Sequence, residues 1–501
     1  MTEAETTVQP GDAEVPLILS VDVGTSSVRA LVYDSRGRSV QGWEIHRPYT
    51  VTTTPDGGVV VDAASLVRLT EEAVDGVLRS IRTAGAGIGA VAFDTFWHGV
   101  MAIDARGSPL TPILTWADTR SAQAAEQLKK ELNESEVHAR TGTALHSSYL
   151  PAKLAWLRET DPDTFRSAAR WVSFGEYFYH RLFGAFRVSI SMASGTGFYD
   201  QNQCAWDGAL LDTVGIRPDQ LSDVADYTNA MQGLGSREAG RWPELAEVPW
   251  YLPIGDGAAN NIGSGGSTDE RVVVMVGTSG ALRVVRRADR VDIPARLWTY
   301  RVDARRFVQG GALSAGGNVF AWAQRTLKVA AADRVEAEIA HMPPDSHGLT
   351  VLPFLAGERS PDWRTDAQSA IVGMTLDTRP SDILAALIES ITYRFGLVYD
   401  IIRANVPAVR AIIGSGAGLV RSPLWTQMMS DVFGHSIVLS NVPEATSRGG
   451  ALLALEALGA VPAAGALAEG LGSTYSPRAE YTRAYRAAME RQQRLYDTML
   501  G

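Results

Sequence analysis

The first unbroken apolar run is Leu17-Ile18-Leu19-Ser20-Val21-Asp22-Val23, β-branched and short enough to be a buried strand. It meets a turn, Gly24-Thr25-Ser26-Ser27, and a second run from Val28 to Tyr33 follows. Asp34-Ser35-Arg36-Gly37 predicts another turn and a third strand near Ser39 to Glu44, which makes an antiparallel meander. Helical periodicity covers about 63–84, 119–133, 150–159 and 174–183, with a buried strand at Ala90 to Asp94 between the first two. Long helices are expected near 317–340, 381–404 and 422–434, a small-residue helix over Pro443 to Leu458, and a surface helix from about 479. Strands and helices alternate, so the class is α/β.

One segment repeats. Val21-Asp22-Val23-Gly24-Thr25-Ser26-Ser27 returns as Val274-Met275-Val276-Gly277-Thr278-Ser279-Gly280, with five of seven positions identical and an offset of 253 residues. Each copy reads as strand, Gly-Thr-Ser turn and strand. An offset of half the chain points to two related domains. A boundary near 265–270 fits the flexible stretch Gly263-Ser264-Gly265-Gly266-Ser267-Thr268. The expected organisation is a disordered leader over 1–16, domains over 17–266 and 267–460, and a helical tail over 461–501.

Composition narrows the chemistry. The 501 residues contain a single cysteine, Cys204, which excludes an intramolecular disulfide framework and a cysteine-based zinc or iron–sulfur site. A net charge of −10 argues against nucleic acid or an anionic membrane as partner. No run reaches the roughly 18–20 apolar residues of a membrane span, and Met1 to Pro16 lacks the layout of a signal peptide, so a soluble cytoplasmic protein is expected. Only four lysines occur, Lys129, Lys130, Lys153 and Lys328, and none follows a glycine, so there is no P-loop.

The paired turns suggest phosphate binding by backbone N–H groups and the hydroxyls of Thr25, Ser26, Thr278 and Ser279; ordinary hairpin turns are the plainer reading of either alone. Asp22, replaced by Met275 in the second copy, suits a hydrated Mg²⁺ or merely the amides of its own turn. Asp256, between Gly255 and Gly257, reads as a helix cap or as an acceptor for a hydroxyl proton. Gly357-Glu358-Arg359-Ser360-Pro361-Asp362-Trp363 is either a structural ion-pair loop or a site rim. Gly414-Ser415-Gly416-Ala417-Gly418, then Ser422, makes a flat surface on which a purine and ribose would fit.

Together these motifs resemble the FGGY carbohydrate kinases, in the actin/Hsp70-like ATPase superfamily, from about residue 17 to 460. The resemblance implies two duplicated ribonuclease-H-like domains with an interdomain cleft, sugar mainly on the first and ATP mainly on the second. It implies transfer of the γ-phosphoryl of Mg-ATP to a sugar hydroxyl, with Asp256 as base and Asp22 holding Mg²⁺ through water. Thr25, Ser26, Thr278, Ser279 and Gly317 would lie near the phosphates, and Gly416, Gly418 and Ser422 near the adenosine. Trp97, His98, Ser148, Asp256 and Gly257 would meet the sugar. A homodimer stays open.

Thr115-Trp116-Ala117-Asp118-Thr119-Arg120-Ser121 and Arg140-Thr141-Gly142-Thr143-Ala144-Leu145-His146 resemble gluconate kinases, which implies D-gluconate as acceptor and 6-phospho-D-gluconate as product. The chain departs from that branch at Ser147-Ser148-Tyr149-Leu150-Pro151, Phe174-Gly175-Glu176 and Ser314-Ala315-Gly316-Gly317. A substrate carboxylate needs a cation, for which Arg120, Lys153, His98 and His146 are the candidates. A neutral ketose or polyol such as xylulose is the alternative acceptor. A nucleotide-driven conformational machine is the competing class.

Overall fold

The computed structural model describes residues 6–329, 332–364, 366–467 and 470–500. In chain order the framework elements are β1 (Ile18–Val23), β2 (Ser27–Tyr33), β3 (Ser39–Pro48), α1 (Ala63–Ala84), β4 (Ala90–Thr95), β5 (Ile254–Gly255) and α2 (Asp256–Gly263). There follow β6 (Arg271–Val276), β7 (Gly280–Arg287), β8 (Arg306–Leu313), α3 (Gly317–Leu327), α4 (Pro380–Asn405), β9 (Ala411–Ser415) and α5 (Pro423–Phe433). The last are β10 (Ile437–Ser440), α6 (Ala445–Ala457), β11 (Leu471–Tyr475) and α7 (Ala479–Leu500). The chain divides into two compact units, and the first cut falls between Ser267 and Thr268.

The first unit is built on a mixed sheet ordered Thr7–Val8, β3, β2, β1, β4, β5. β1 runs antiparallel to β2 and parallel to β4, with Asp22 opposite Arg29 on one side and Asp94 on the other. β5 continues parallel to β4, with Gly255 opposite Thr95. Every β1 and β4 side chain is buried, as expected of central strands covered on both faces. α1 starts where the Asp62 carboxylate accepts from the Ser65 amide and ends at Gly85, whose φ of 65° a glycine adopts at little cost. Its apolar stripe, Leu66, Val74, Val77, Leu78 and Ile81, is buried.

Two features differ from the expected layout. Residues 6–16 are ordered: Thr7 and Val8 pair with Ser39 and Val40 as an edge strand, and Pro10–Asp12 forms a short helical turn. A two-residue strand carries too little periodicity to read from sequence; residues 1–5 of the expected leader lie outside the described residues. Residues 285–308 and 442–470 group with the first unit rather than with the second domain. The cause is α6. A Cβ on Gly449 would sit 1.8 Å from the Ala259 carbonyl oxygen, and one on Gly263 would sit 1.8 Å from that of Ala445. Glycines at both places let α2 and α6 cross backbone to backbone, which binds α6 to the first unit.

The second unit repeats the plan. Its sheet orders β8, β7, β6, β9, β10 and β11, with β6 antiparallel to β7 and parallel to β9. α4 buries most of its length, and α5 and α7 pack beside it. The expected helical tail is only partly helical: β11 pairs antiparallel with β10 before α7 begins.

Candidate functional site

The meander turn after β1 is closed by the Gly24 amide donating to the Ser27 carbonyl at 3.0 Å. Thr25 is half-buried and its hydroxyl accepts from the Trp116 indole at 3.2 Å, while Ser26 stands exposed at the tip. Just inside the turn, Asp22 is 1% exposed. Arg29 Nη1 donates to its Oδ2 at 3.2 Å and also meets Glu444 at 3.4 Å, and the Ser447 hydroxyl approaches at 3.5 Å. Burial raises the pKa of Asp22, against the pull of Arg29. That of Asp94 goes well above the usual carboxylate range, through burial and then the charge of Asp22, with Asp256 adding to it.

Asp256 opens α2, and the Gly257 amide donates to its Oδ1 at 2.7 Å, fixing the carboxylate at the start of the helix. Trp97 stands against it. A Cβ on Gly255 would lie 1.9 Å from the indole and one on Gly195 2.6 Å from it, so two glycines make the slot that holds this ring. The indole N–H donates to the Ser191 carbonyl at 3.0 Å, and the Ser191 hydroxyl in turn accepts from the Gly255 amide at 3.1 Å. His98 follows with φ of 64°, a conformation costly for a non-glycine residue and frequent at functional sites. Its Nδ1 meets the Gly195 carbonyl, and its ring sits 4.9 Å from Tyr149 and 5.4 Å from Tyr300. Tyr300 stacks on Trp298 at 4.4 Å and shares a 2.5 Å hydrogen bond with the Tyr149 hydroxyl.

Ser148 is buried, its hydroxyl and amide both within 3.1 Å of His146 Nδ1. An amide donating there makes Nδ1 the acceptor, which puts the His146 ring proton on Nε2. Lys153 Nζ donates to the carbonyls of Ser147 and Ser148, at 2.6 Å each. It is 0% exposed, and burial brings it down to about 7. Lys153 therefore clamps the loop from within. Arg120 is bound to the Asp118 carboxylate at 2.6 Å and lies over Trp156 at 4.7 Å.

In the second unit the repeated turn is closed by the Gly277 amide donating to the Ser279 carbonyl at 2.9 Å, with Thr278 exposed. α3 begins directly on it: the Gly317 amide donates to the Gly277 carbonyl at 2.8 Å and that of Asn318 to Thr278 at 3.0 Å. Gly416, at φ 84°, and Gly418 press against the end of β6, where their Cβ atoms would lie 2.4 Å from the Val276 carbonyl oxygen and 2.7 Å from its side chain. The result is a cavity of about 170 Å³ that brings Gly317, Gly418 and Ser422 together. Phe320, Ile339, Leu424 and Trp425 supply apolar walls, and Glu336 and Arg421 polar groups. Glu336 accepts from the Ser422 hydroxyl at 2.7 Å.

The Gly357–Trp363 loop is structural. Glu358 pairs with Arg394, both buried, and accepts from the Tyr496 hydroxyl at 2.7 Å, while Arg359 donates to the Leu313 carbonyl at 2.9 Å. Asp345, His347 and Glu389 also gather closely. Asp345 pairs with Arg491, His347 accepts the Leu349 amide on Nδ1 and turns Nε2 to Glu389 at 3.2 Å, and Glu389 accepts from the Tyr393 hydroxyl, so this cluster braces α4.

Residues 17–263 match the N-terminal domain model of the FGGY family of carbohydrate kinases, and residues 272–458 match its C-terminal domain model. The chain belongs to this family. It is a carbohydrate kinase, a phosphotransferase whose family implies ATP as the donor and a sugar or sugar acid as acceptor. It is 29% identical to gluconokinase of Bacillus subtilis over 94% of each chain. It is also 29% identical to xylulose kinase of Streptomyces rubiginosus, over 88% of this chain and 87% of that one. The structure superposes on gluconate kinase of Lactobacillus acidophilus with a TM-score of 0.89 and 25% identity, covering 96% of this chain and 98% of that one. Among the described residues no helix is long and apolar enough to cross a membrane.

Sequence reasoning missed several residues around this kinase's sites. Asp94 ends an apolar strand in the manner of Asp22, a signal present in Phe93-Asp94-Thr95 and overlooked. Trp298 and Tyr300 show only as an alternating aromatic pair, and Glu336 and Phe320 as ordinary helix positions.

Proposed function

We propose that this kinase phosphorylates D-gluconate at its 6-hydroxyl, giving 6-phospho-D-gluconate and ADP. The match to B. subtilis gluconokinase across 94% of both chains carries the choice of substrate. In this reading the sugar lies on the first unit against the wall of Trp97, His98 and Ser148, and its hydroxyl oxygen attacks the γ-phosphorus. The proton passes to the Asp256 carboxylate as the bond to the bridging oxygen of ADP breaks. Gly257 supports the sugar side by fixing that carboxylate. The hydroxyls and amides at Thr25, Ser26, Thr278 and Ser279 donate to the phosphoryl oxygens. The glycine-lined cavity of the second unit takes the adenosine, with Gly317 at its phosphate end, Gly416 supporting the floor and Gly418 and Ser422 at the base and ribose.

A divalent cation fits the first turn. Asp22 offers hard oxygen ligands, and the neighbouring Asp94 oxygens are buried against it with no donor among the described residues. Asp22 would hold Mg²⁺ there, through water. Bound Mg²⁺ would spread the charge that builds on the phosphoryl oxygens.

One observation favours xylulose as a second reading. Lys153 is spent on two carbonyls and Arg120 on Asp118, which leaves a substrate carboxylate to His98 and His146. Coupled ADP release over gluconate, xylulose and glycerol separates the readings. A highest kcat/KM for gluconate is expected; a higher value for xylulose replaces the first reading with the second.

A further inference from the structure

We propose that Asp94 is a direct ligand for a divalent cation, held jointly with Asp22 at the ends of β1 and β4; the ion's purpose rests on the kinase reading above. The two residues are register partners on adjacent parallel strands, so their side chains leave the same face of the sheet side by side. That face is covered by α6, whose Gly450 keeps the space open: a Cβ there would lie 3.5 Å from Asp94 Oδ2 and 3.3 Å from the Ser20 hydroxyl. Asp94 is 0% exposed, and among the described residues its oxygens meet no donor, only the carboxyl of Asp22.

A buried carboxylate without a donor is costly. The basic group that bears on the pair, Arg29, is directed at Asp22 and Glu444. A hard cation about 2.0–2.6 Å from an Asp94 oxygen, with Asp22 reaching it through water, satisfies both carboxylates at once. Asp256 follows Gly255, itself opposite Thr95, and so brings a third carboxylate to the same strand ends. A proton shared between Asp22 and Asp94 is the rival way to fill the gap, and it makes the opposite prediction.

The test is a titration of Mn²⁺ into the full chain, without nucleotide or sugar, with free Mn²⁺ read by electron paramagnetic resonance. The wild type is expected to bind Mn²⁺ that Mg²⁺ displaces, and Asp94→Asn to weaken that binding about tenfold or more. Unchanged affinity in Asp94→Asn, or no binding by the wild type, overturns the proposal in favour of the shared proton. Melting by circular dichroism checks that the variant is folded. Should it fail to fold, anomalous scattering from a Mn²⁺-soaked wild-type crystal decides. A peak between the two carboxylates is expected, and a peak on Asp22 alone, or none, overturns the assignment. No sugar enters either experiment, so failure of the gluconate reading leaves the result standing.

Discussion

At the end of β1 the chain places Asp22 opposite Asp94; at the matching register of the second unit it places Met275 opposite Ser415. The backbone plan is the same in both: a strand, a Gly-Thr-Ser turn, a returning strand, and a parallel neighbour. The side chains differ in kind. The first turn sits over two buried carboxyls with a third, Asp256, one strand further on, whereas the second sits beside glycines and an apolar cavity. Turns that present amides serve phosphate in either setting. In the proposed reading, what surrounds them gives proton and cation chemistry to the first unit and nucleotide binding to the second.

The largest break in this comparison is expected from Asp256→Asn. Losing the proton acceptor lowers kcat by about 10³-fold while the KM for ATP stays put; steady-state kinetics retaining wild-type kcat would remove Asp256 from the reaction. Arg394→Met strands the buried Glu358 carboxylate and costs about 3–5 kcal/mol in urea unfolding. That loss belongs to the second unit, so a loss below about 1 kcal/mol would contradict the bracing role of the loop.

Phe320→Ala opens one wall of the cavity and raises the KM for ATP about tenfold with the sugar KM unchanged. A rise in the sugar KM instead would dissolve the division between units. Lys153→Met frees the Ser147 and Ser148 carbonyls and lowers kcat/KM for the sugar about tenfold. It also tests a pH effect. Because burial holds Lys153 down to about 7, the unfolded chain keeps this proton above that pH and the folded chain releases it. Stability therefore rises with pH from about 7 to 10, and that slope disappears in Lys153→Met. The smallest effect is Tyr300→Phe, which removes one hydroxyl from the Tyr149 pair and raises the sugar KM about fivefold, near 1 kcal/mol.

Much of this was legible before the structure, and the reason differs by element. β1, its turn and β6 read directly, because alternation and glycine turns are local signals. Gly317, Gly418 and Ser422 read as separate signals in the sequence, and the fold brings them to one cavity. Residues whose meaning depends on distant partners did not read. Lys153 looked like a cation for substrate until two carbonyls claimed it. Asp94 gained meaning only from its register with Asp22. The grouping of α6 with the first unit rests on glycines 186 residues apart in sequence, Gly263 and Gly449, each facing the other helix's backbone.

The division of labour is tested most directly by crossed calorimetric titrations, ATP and gluconate each into Asp256→Asn and Phe320→Ala. Asp256→Asn is expected to bind ATP as the wild type does, and Phe320→Ala to keep its affinity for gluconate while losing about tenfold for ATP. Equal loss of both ligands in either variant would contradict that division.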